Sequence, residues 1–158
     1  MMRIGQGIDV HAFDAARPLV LGGVRISDKG GLAGHSDADA VLHAVTDALL
    51  GAAGAGDIGH YFPSDDPQWK DASSSRFVAE AKRILSERSA GIANVDVTII
   101  AQRPRLAPFR AAIAANIAHL LNLPEGRVNV KSTTTDHLGF IGRGEGVCAM
   151  AVVLVEIL

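Results

Sequence analysis

The order of hydrophobic and polar positions divides the chain into alternating and helical stretches. Residues Arg3–His11 read as a strand with polar residues at its exit. Leu19-Val20-Leu21 and Val24-Arg25-Ile26 flank Gly22-Gly23, a spacing suited to a tight hairpin. A glycine-rich loop, Lys29–His35, leads into a helix from about Asp37 to Leu50 with Val41, Leu42, Val45 and Leu49 on one face. A long polar loop, Gly54–Ser73, separates it from a second helix over about Ser75–Glu87, where Phe77, Val78, Ala81, Ile84 and Leu85 face inward. The β-branched run Asn94–Ala101 predicts a strand, and Pro108–Leu121 predicts a third helix with Phe109, Ile113, Ile117 and Leu120 aligned. Strand Arg127–Thr133, a turn through Asp136–Gly139 and a last strand Val147–Ile157 complete the series. That order predicts an α+β fold: a mixed β-sheet with three helices packed on one face, in a single domain spanning 1–158.

The last strand adds an expectation about assembly. Val147, Ala149, Ala151, Val153 and Val155 point to one side, and Cys148, Met150, Val152 and Leu154 to the other. Both sides are apolar, so both call for cover. Three helices cover one face of a small sheet, and a partner subunit is the economical cover for the other. The N-terminal hairpin folding over that face is the alternative.

Composition narrows the class. The chain is 48% hydrophobic with a net charge of −2, an ordinary globular balance that gives no electrostatic case for a nucleic-acid or membrane partner. The longest apolar run, Gly146–Val155, is too short to span a bilayer. Met1 leads directly into a strand pattern with no signal peptide, and Cys148 is the lone cysteine, so a cytoplasmic location is expected. Cys148 lies in an apolar strand and reads as an inert buried thiol.

The candidate chemistry begins with Asp9-Val10-His11. Side chains two apart on a strand share a face, so Asp9 and His11 can converge. His43, inside the first helix, supplies a second imidazole. One carboxylate and two imidazoles make three protein ligands for a divalent ion, and three leave a coordination position open, as in catalytic zinc sites. Elements that could hold phosphate are also present. Ser36 with Asp39 three residues on matches a capping box, and the free N–H groups of that helix start favour an anion. Lys131–Asp136 offers a lysine, four hydroxyls and a carboxylate at a strand exit, and Gly142–Gly146 carries Arg143 on a glycine-rich turn. Each of these has an ordinary structural reading when taken alone. His119 reads as a helix-face residue, and His60 and His137 as loop residues.

Six blocks in order change that balance: Gly5–His11, His35–Asp39, Leu42–Leu49, Gly56–Gly59, Asn94–Gln102 and Gly139–Gly146. With them the chain resembles the 2-C-methyl-D-erythritol 2,4-cyclodiphosphate synthases, ring-closing enzymes of the non-mevalonate isoprenoid route, from Arg3 to the final strand. The resemblance implies that Asp9, His11 and His43 hold a metal, usually zinc, with Asp9 and His11 also meeting the substrate. His35 and Thr134 match the positions that stabilise the transition state, and His35-Ser36 a substrate-binding pair. Asp57, Ile58, Gly59 and the stretch Phe62–Asp66, with Phe62 and Asp66 as contacts, match the methylerythritol pocket. Ala101, Pro104 and Ala107, with Thr133, Thr134, Thr135 and Asp136, match the cytidine and diphosphate contacts. Phe140 and Arg143 match further contacts near a subunit junction. The family is a homotrimer with active sites between neighbouring subunits, and a second ion, Mg2+ or Mn2+, accompanies the substrate diphosphate near Asp136.

The chain departs from that pattern in three places. Asp136 stands where glutamate is common, Ser64 replaces a common aspartate, and Met150 stands where some members carry a glutamate facing the trimer axis. The implied reaction is intramolecular attack of a phosphate on a cytidine diphosphate ester, expelling CMP. Two other classes remain distinguishable by their products: a metal-dependent phosphohydrolase releases inorganic phosphate, and a non-catalytic trimeric nucleotide-binding protein releases nothing.

Overall fold

A computed structural model describes residues 1–157. Its elements are β1 (Met2–Asp14), β2 (Leu19–Leu21), β3 (Val24–Ser27), β4 (Gly31–Leu32), α1 (Ala40–Ala53), α2 (Ile58–Tyr61), α3 (Ser75–Glu87), β5 (Ala90–Ile100), α4 (Arg110–Leu121), β6 (Val128–Thr133), α5 (Gly139–Gly142) and β7 (Gly146–Ile157). Five strands form one mixed sheet in the order β4-β1-β7-β5-β6, with β5 and β6 parallel and the other pairs antiparallel; β2 and β3 form a separate hairpin. The α+β architecture read from the hydrophobic pattern is therefore present, with the helices on one face of the sheet. The polar loop before α3 contains two short pieces that periodicity could not reveal, α2 and a 3-10 turn at Pro67–Trp69. His60, expected in a loop, lies in α2.

One contact sets the position of everything functional. A Cβ on Gly5 would lie 1.8 Å from the Ala48 carbonyl oxygen, and one on Gly7 1.9 Å from that of Ala44. Bare glycine backbone thus meets the small-residue face of α1. Two residues of strand advance about 6.6 Å, and four of helix about 6 Å, so β1 and α1 stay in step. Continuing that step from Gly5 and Gly7 brings Asp9 and His11, on the same strand face, level with the first turns of α1, where His43 lies.

The helix begins later than its pattern predicts, and Ser36 is not its cap. Asp39 is the N-cap, accepting from Leu42 N at 3.0 Å. Its carboxylate also accepts from Gly22 N (2.9 Å) and Gly23 N (2.7 Å), tying the β2–β3 hairpin to the helix start. Full burial pushes the Asp39 carboxyl up to about 6, against the pull of those N–H donors. The anion expected at this helix start is therefore supplied by the protein itself. Ala38, buried at φ 56, takes a left-handed turn that sends Asp37 and Asp39 to different partners.

The second face of β7 is open in the single chain. The hairpin does not fold over it: Asn116 of α4 donates to Gly22 O at 2.8 Å, which holds the hairpin on the helix side. Ile4, Ile8, Val10 and Val152 remain exposed there. The register sets Ile4 beside Leu154, Gln6 beside Val152, Ile8 beside Met150 and Val10 beside Cys148, a mostly apolar strip along the β1–β7 pair with Gln6 as its polar interruption. Cys148 is buried, and that burial, with the Asp9 carboxylate nearby, pushes its thiol pKa up.

Candidate metal centre and flanking pockets

Asp9, His11 and His43 converge as their spacing predicts. Asp9 Oδ2 lies 2.7 Å from His11 Nε2 and 3.1 Å from His43 Nδ1, and the two ring nitrogens are 3.3 Å apart. Ligands at about 2.1 Å around a tetrahedral zinc lie roughly 3.4 Å from one another, so the donor set fits a divalent ion in both chemistry and spacing. The ring of His11 is oriented by its other nitrogen, which donates to the Ala33 carbonyl at 2.6 Å and leaves Nε2 facing Asp9. His43 Nε2 lies 2.8 Å from Ser74 Oγ and 3.1 Å from Ser36 Oγ. Burial would raise the Asp9 carboxyl, but the two imidazoles outweigh it and hold it below the usual carboxylate range. For His11, burial opposes the charged ring, and Asp9 overcomes that and raises it.

These three residues open into a cavity of about 230 Å³ shared with His35, Ser36, Ile58, Gly59, Phe62 and Ser64 and closed by Trp69 and Phe77. His35 Nε2 donates to the Asp66 carbonyl at 2.9 Å, which leaves Nδ1 as the ring nitrogen outside that bond. Asp57 and Asp66 lie outside the lining and serve their own turns: Asp57 accepts from His60 N at 3.0 Å, and Asp66 from Gln68 N at 3.0 Å. Arg17 clamps the loop ahead of α1 through the carbonyls of Gly34 and Ser36. Asp47, which the sequence reading passed over, anchors the start of α2 by accepting from Ile58 N at 2.8 Å.

A second cavity, of about 250 Å³, gathers Ala101, Pro104, Ala107, Thr133 and Thr134 with Gln102, Arg105, Leu106 and Ser132. Lys131 is not part of it; it turns across the sheet to pair with Asp96. Thr135 and Asp136 follow in an exposed turn, Asp136 at φ 54, where Thr134 Oγ1 accepts from Asp136 N at 3.2 Å. Phe140 is exposed, and Arg143 pairs with Glu145 at 3.0 Å beside a third cavity lined by Gln102, Arg103 and His137. The metal pocket and the Ala101–Thr134 pocket share no lining residue.

Residues 2–156 match the YgbB family. A 2-C-methyl-D-erythritol 2,4-cyclodiphosphate synthase of Lysinibacillus sphaericus is 53% identical over 98% of both chains. The chain belongs to the family of these synthases. The fold agrees: the structure of the bifunctional IspDF from Campylobacter jejuni superposes with a TM-score of 0.97 at 44% identity, covering 100% of this chain and 43% of that longer one. A CDP complex of IspF from Plasmodium falciparum superposes at 0.85 with 36% identity, covering 98% of this chain and 95% of that one.

Sequence reasoning missed Ser74, Asp37 and Ala33, which surround the metal-facing histidines. No local signal marks them, because each acts through a contact with a distant segment: Ser74 Oγ donates to Asp37 Oδ1, and the Ala33 carbonyl meets His11.

Proposed function

We propose that the protein converts 4-diphosphocytidyl-2-C-methyl-D-erythritol 2-phosphate to 2-C-methyl-D-erythritol 2,4-cyclodiphosphate and CMP, a phosphorus–oxygen lyase step of the non-mevalonate isoprenoid pathway. The observation that carries it is the convergence of Asp9, His11 and His43 on a pocket lined by His35 and Ser36, in a chain that matches such synthases end to end. No helix among the described residues is long and apolar enough to cross a membrane, which is compatible with work in the cytoplasm.

The attacking group is already an anionic phosphate, so no strong general base is required. The obstacle is repulsion: two unit charges about 4 Å apart interact by roughly 4 kcal/mol at an effective dielectric near 20. Asp9, His11 and His43 would hold a divalent ion, zinc by the preference of imidazoles, which when bound would supply charge neutralisation and polarisation at the phosphate under attack; Asp136 would help hold Mg2+ or Mn2+ at the diphosphate. The protein's own groups position the rest. His35 is held by the Asp66 carbonyl through Nε2 at the pocket wall, and Ser36 stands beside His43. Ile58, Gly59 and Phe62 enclose the methylerythritol portion, while Ala101, Pro104, Ala107 and Thr133–Asp136 receive the cytidine diphosphate portion, with Thr134 at the reacting end. Catalysis is then mainly positioning and electrostatics. Phosphorus NMR of the purified protein with its substrate is the test: cyclic diphosphate and CMP are expected, and inorganic phosphate instead would make it a phosphohydrolase.

Because the two pockets share no residue, a substrate long enough to reach both is best served where they meet across a subunit boundary. The uncovered apolar strip on β1 and β7 supports the same arrangement. A homotrimer, with each site built from two neighbours, is therefore expected. Light scattering should return the mass of three chains; a stable monomer would remove the shared site.

Asp136 provides a separable test of the second ion. Its turn is left-handed, a conformation asparagine adopts readily, so Asp136→Asn preserves the backbone while removing the charge. Zinc content should stay unchanged, whereas activity should fall on the order of 10–100-fold with a weakened response to magnesium. Asp136→Glu should keep activity. Magnesium titrations of all three proteins decide it, and an unaltered curve for Asp136→Asn would rule the role out.

A further inference from the structure

Ser74 is fully buried at the N-cap of α3, a position where serine ordinarily caps its own helix through its hydroxyl. Here it makes no such bond. Its hydroxyl donates to Asp37 Oδ1, and its backbone N–H donates to Asp37 Oδ2 at 3.0 Å. A hydroxyl has one proton, and a carboxylate can only accept, so that proton is committed to Asp37. What Ser74 Oγ presents to His43 Nε2, 2.8 Å away, is therefore a lone pair. The bond can exist only if Nε2 carries the ring proton.

We infer that Ser74, fixed by Asp37, is a positioning residue that holds His43 in the tautomer protonated on Nε2 and so frees the Nδ1 lone pair for a divalent cation. This rests on the metal-site reading above and deepens it. Nδ1 faces the point where the three donors meet, 3.1 Å from Asp9 Oδ2 and 3.3 Å from His11 Nε2. Without a cation Asp9 can accept a proton from it, and a cation there would take the Nδ1 lone pair in that proton's place while Ser74 keeps the other proton on Nε2. The arrangement mirrors His11, whose Nδ1 is committed to the Ala33 carbonyl and whose Nε2 faces the same point. Each imidazole is thus oriented by its far nitrogen, His11 through a backbone acceptor and His43 through buried Ser74 and the half-buried Asp37 behind it. Ser36 Oγ, at 3.1 Å from the same Nε2, also accepts from Ala38 N, so its own proton is unassigned and it does not select the tautomer.

The inference is tested with zinc alone as the probe. Zinc affinity is measured by competition with a chromophoric chelator for the wild type and Ser74→Ala, together with thermal unfolding of both metal-free proteins. The imidazole nitrogens of the zinc-loaded proteins are followed by NMR. Ser74→Ala should weaken zinc binding about 10–100-fold, the range for losing a group that orients a ligand, without a matching loss of metal-free stability. The wild-type spectrum should show His43 with a slowly exchanging proton on Nε2 that exchanges fast in the variant, while the Nδ1 proton of His11 is unaffected. Unchanged zinc affinity in Ser74→Ala, or a His43 bound to zinc through Nε2, overturns the positioning role and leaves the metal site standing. A wild type that binds no zinc overturns the metal reading and this inference with it.

Discussion

His43→Ala should abolish tight metal binding and lower turnover on the order of 10³-fold or more, while leaving the fold in place. The loss follows from the geometry of the three donors. Asp9 and His11 alone form a two-ligand chelate, and charge stabilisation by a bound ion is worth several kcal/mol, each 1.4 kcal/mol of which is about a factor of ten in rate. The fold survives because the substitution places alanine, the best helix former, in the body of α1. It removes a ring that packs against Phe77 at 5.7 Å between centroids, but it also removes one of three polar groups crowded at that point. Elemental analysis, circular dichroism and the phosphorus NMR assay on one preparation make the check. His119→Ala, on the exposed side of α4, is the histidine control and should match the wild type. Full zinc occupancy with normal turnover in His43→Ala would sink the metal assignment.

The parts of this site that were legible in the sequence are those governed by local periodicity. Asp9 and His11 share a face because a strand repeats every two residues, and the helical pattern around Val41–Leu49 puts His43 on a rigid element. What the sequence hid was tertiary. Ser36 and Asp39 have capping-box spacing, yet Asp39 caps the helix because the Gly22–Gly23 hairpin brings two more donors to its carboxylate. Ser74 falls between the polar loop and the second helix with no local signal to mark it, and its contact with Asp37 turns it away from capping. The resemblance makes Asp57 and Asp66 pocket contacts, and the fold gives their carboxylates a second, local task, accepting from His60 N and Gln68 N. Lys131 sat in a promising hydroxyl-rich run, but strand alternation turns it toward Asp96. The apolar second face of β7 was legible as a pattern, and the structure removes the hairpin as its cover.

The same β1–α1 contact that assembles the site predicts the largest effect on stability. Gly7→Ala adds a methyl group whose ideal position is 1.9 Å from the Ala44 carbonyl oxygen and 2.8 Å from Ala48 N. Both obstacles are helix backbone, so no rotamer change relieves them, and α1 must lift from the sheet. Overpacking of this kind costs about 1–3 kcal/mol and more where the neighbours are rigid, a large share of a typical net stability of about 5–15 kcal/mol. We expect a cost at or above the upper end, about 3 kcal/mol, equivalent to a fall in Tm of roughly 6–12 °C for a domain of this size. Ala44→Gly should not rescue it, because the clash is with a carbonyl and not with the Ala44 methyl. Gly126→Ala is the control, since a methyl there meets nothing within 4 Å and should leave Tm near wild type. The displacement should reach function as well. Asp9 lies one strand repeat beyond Gly7 and His43 one residue before Ala44, so lifting the helix separates the carboxylate from its imidazole partner. Zinc affinity measured at a temperature where Gly7→Ala is still folded should therefore fall together with Tm. A variant that melts like the wild type would show that β1 and α1 are not in the close contact on which the metal site depends.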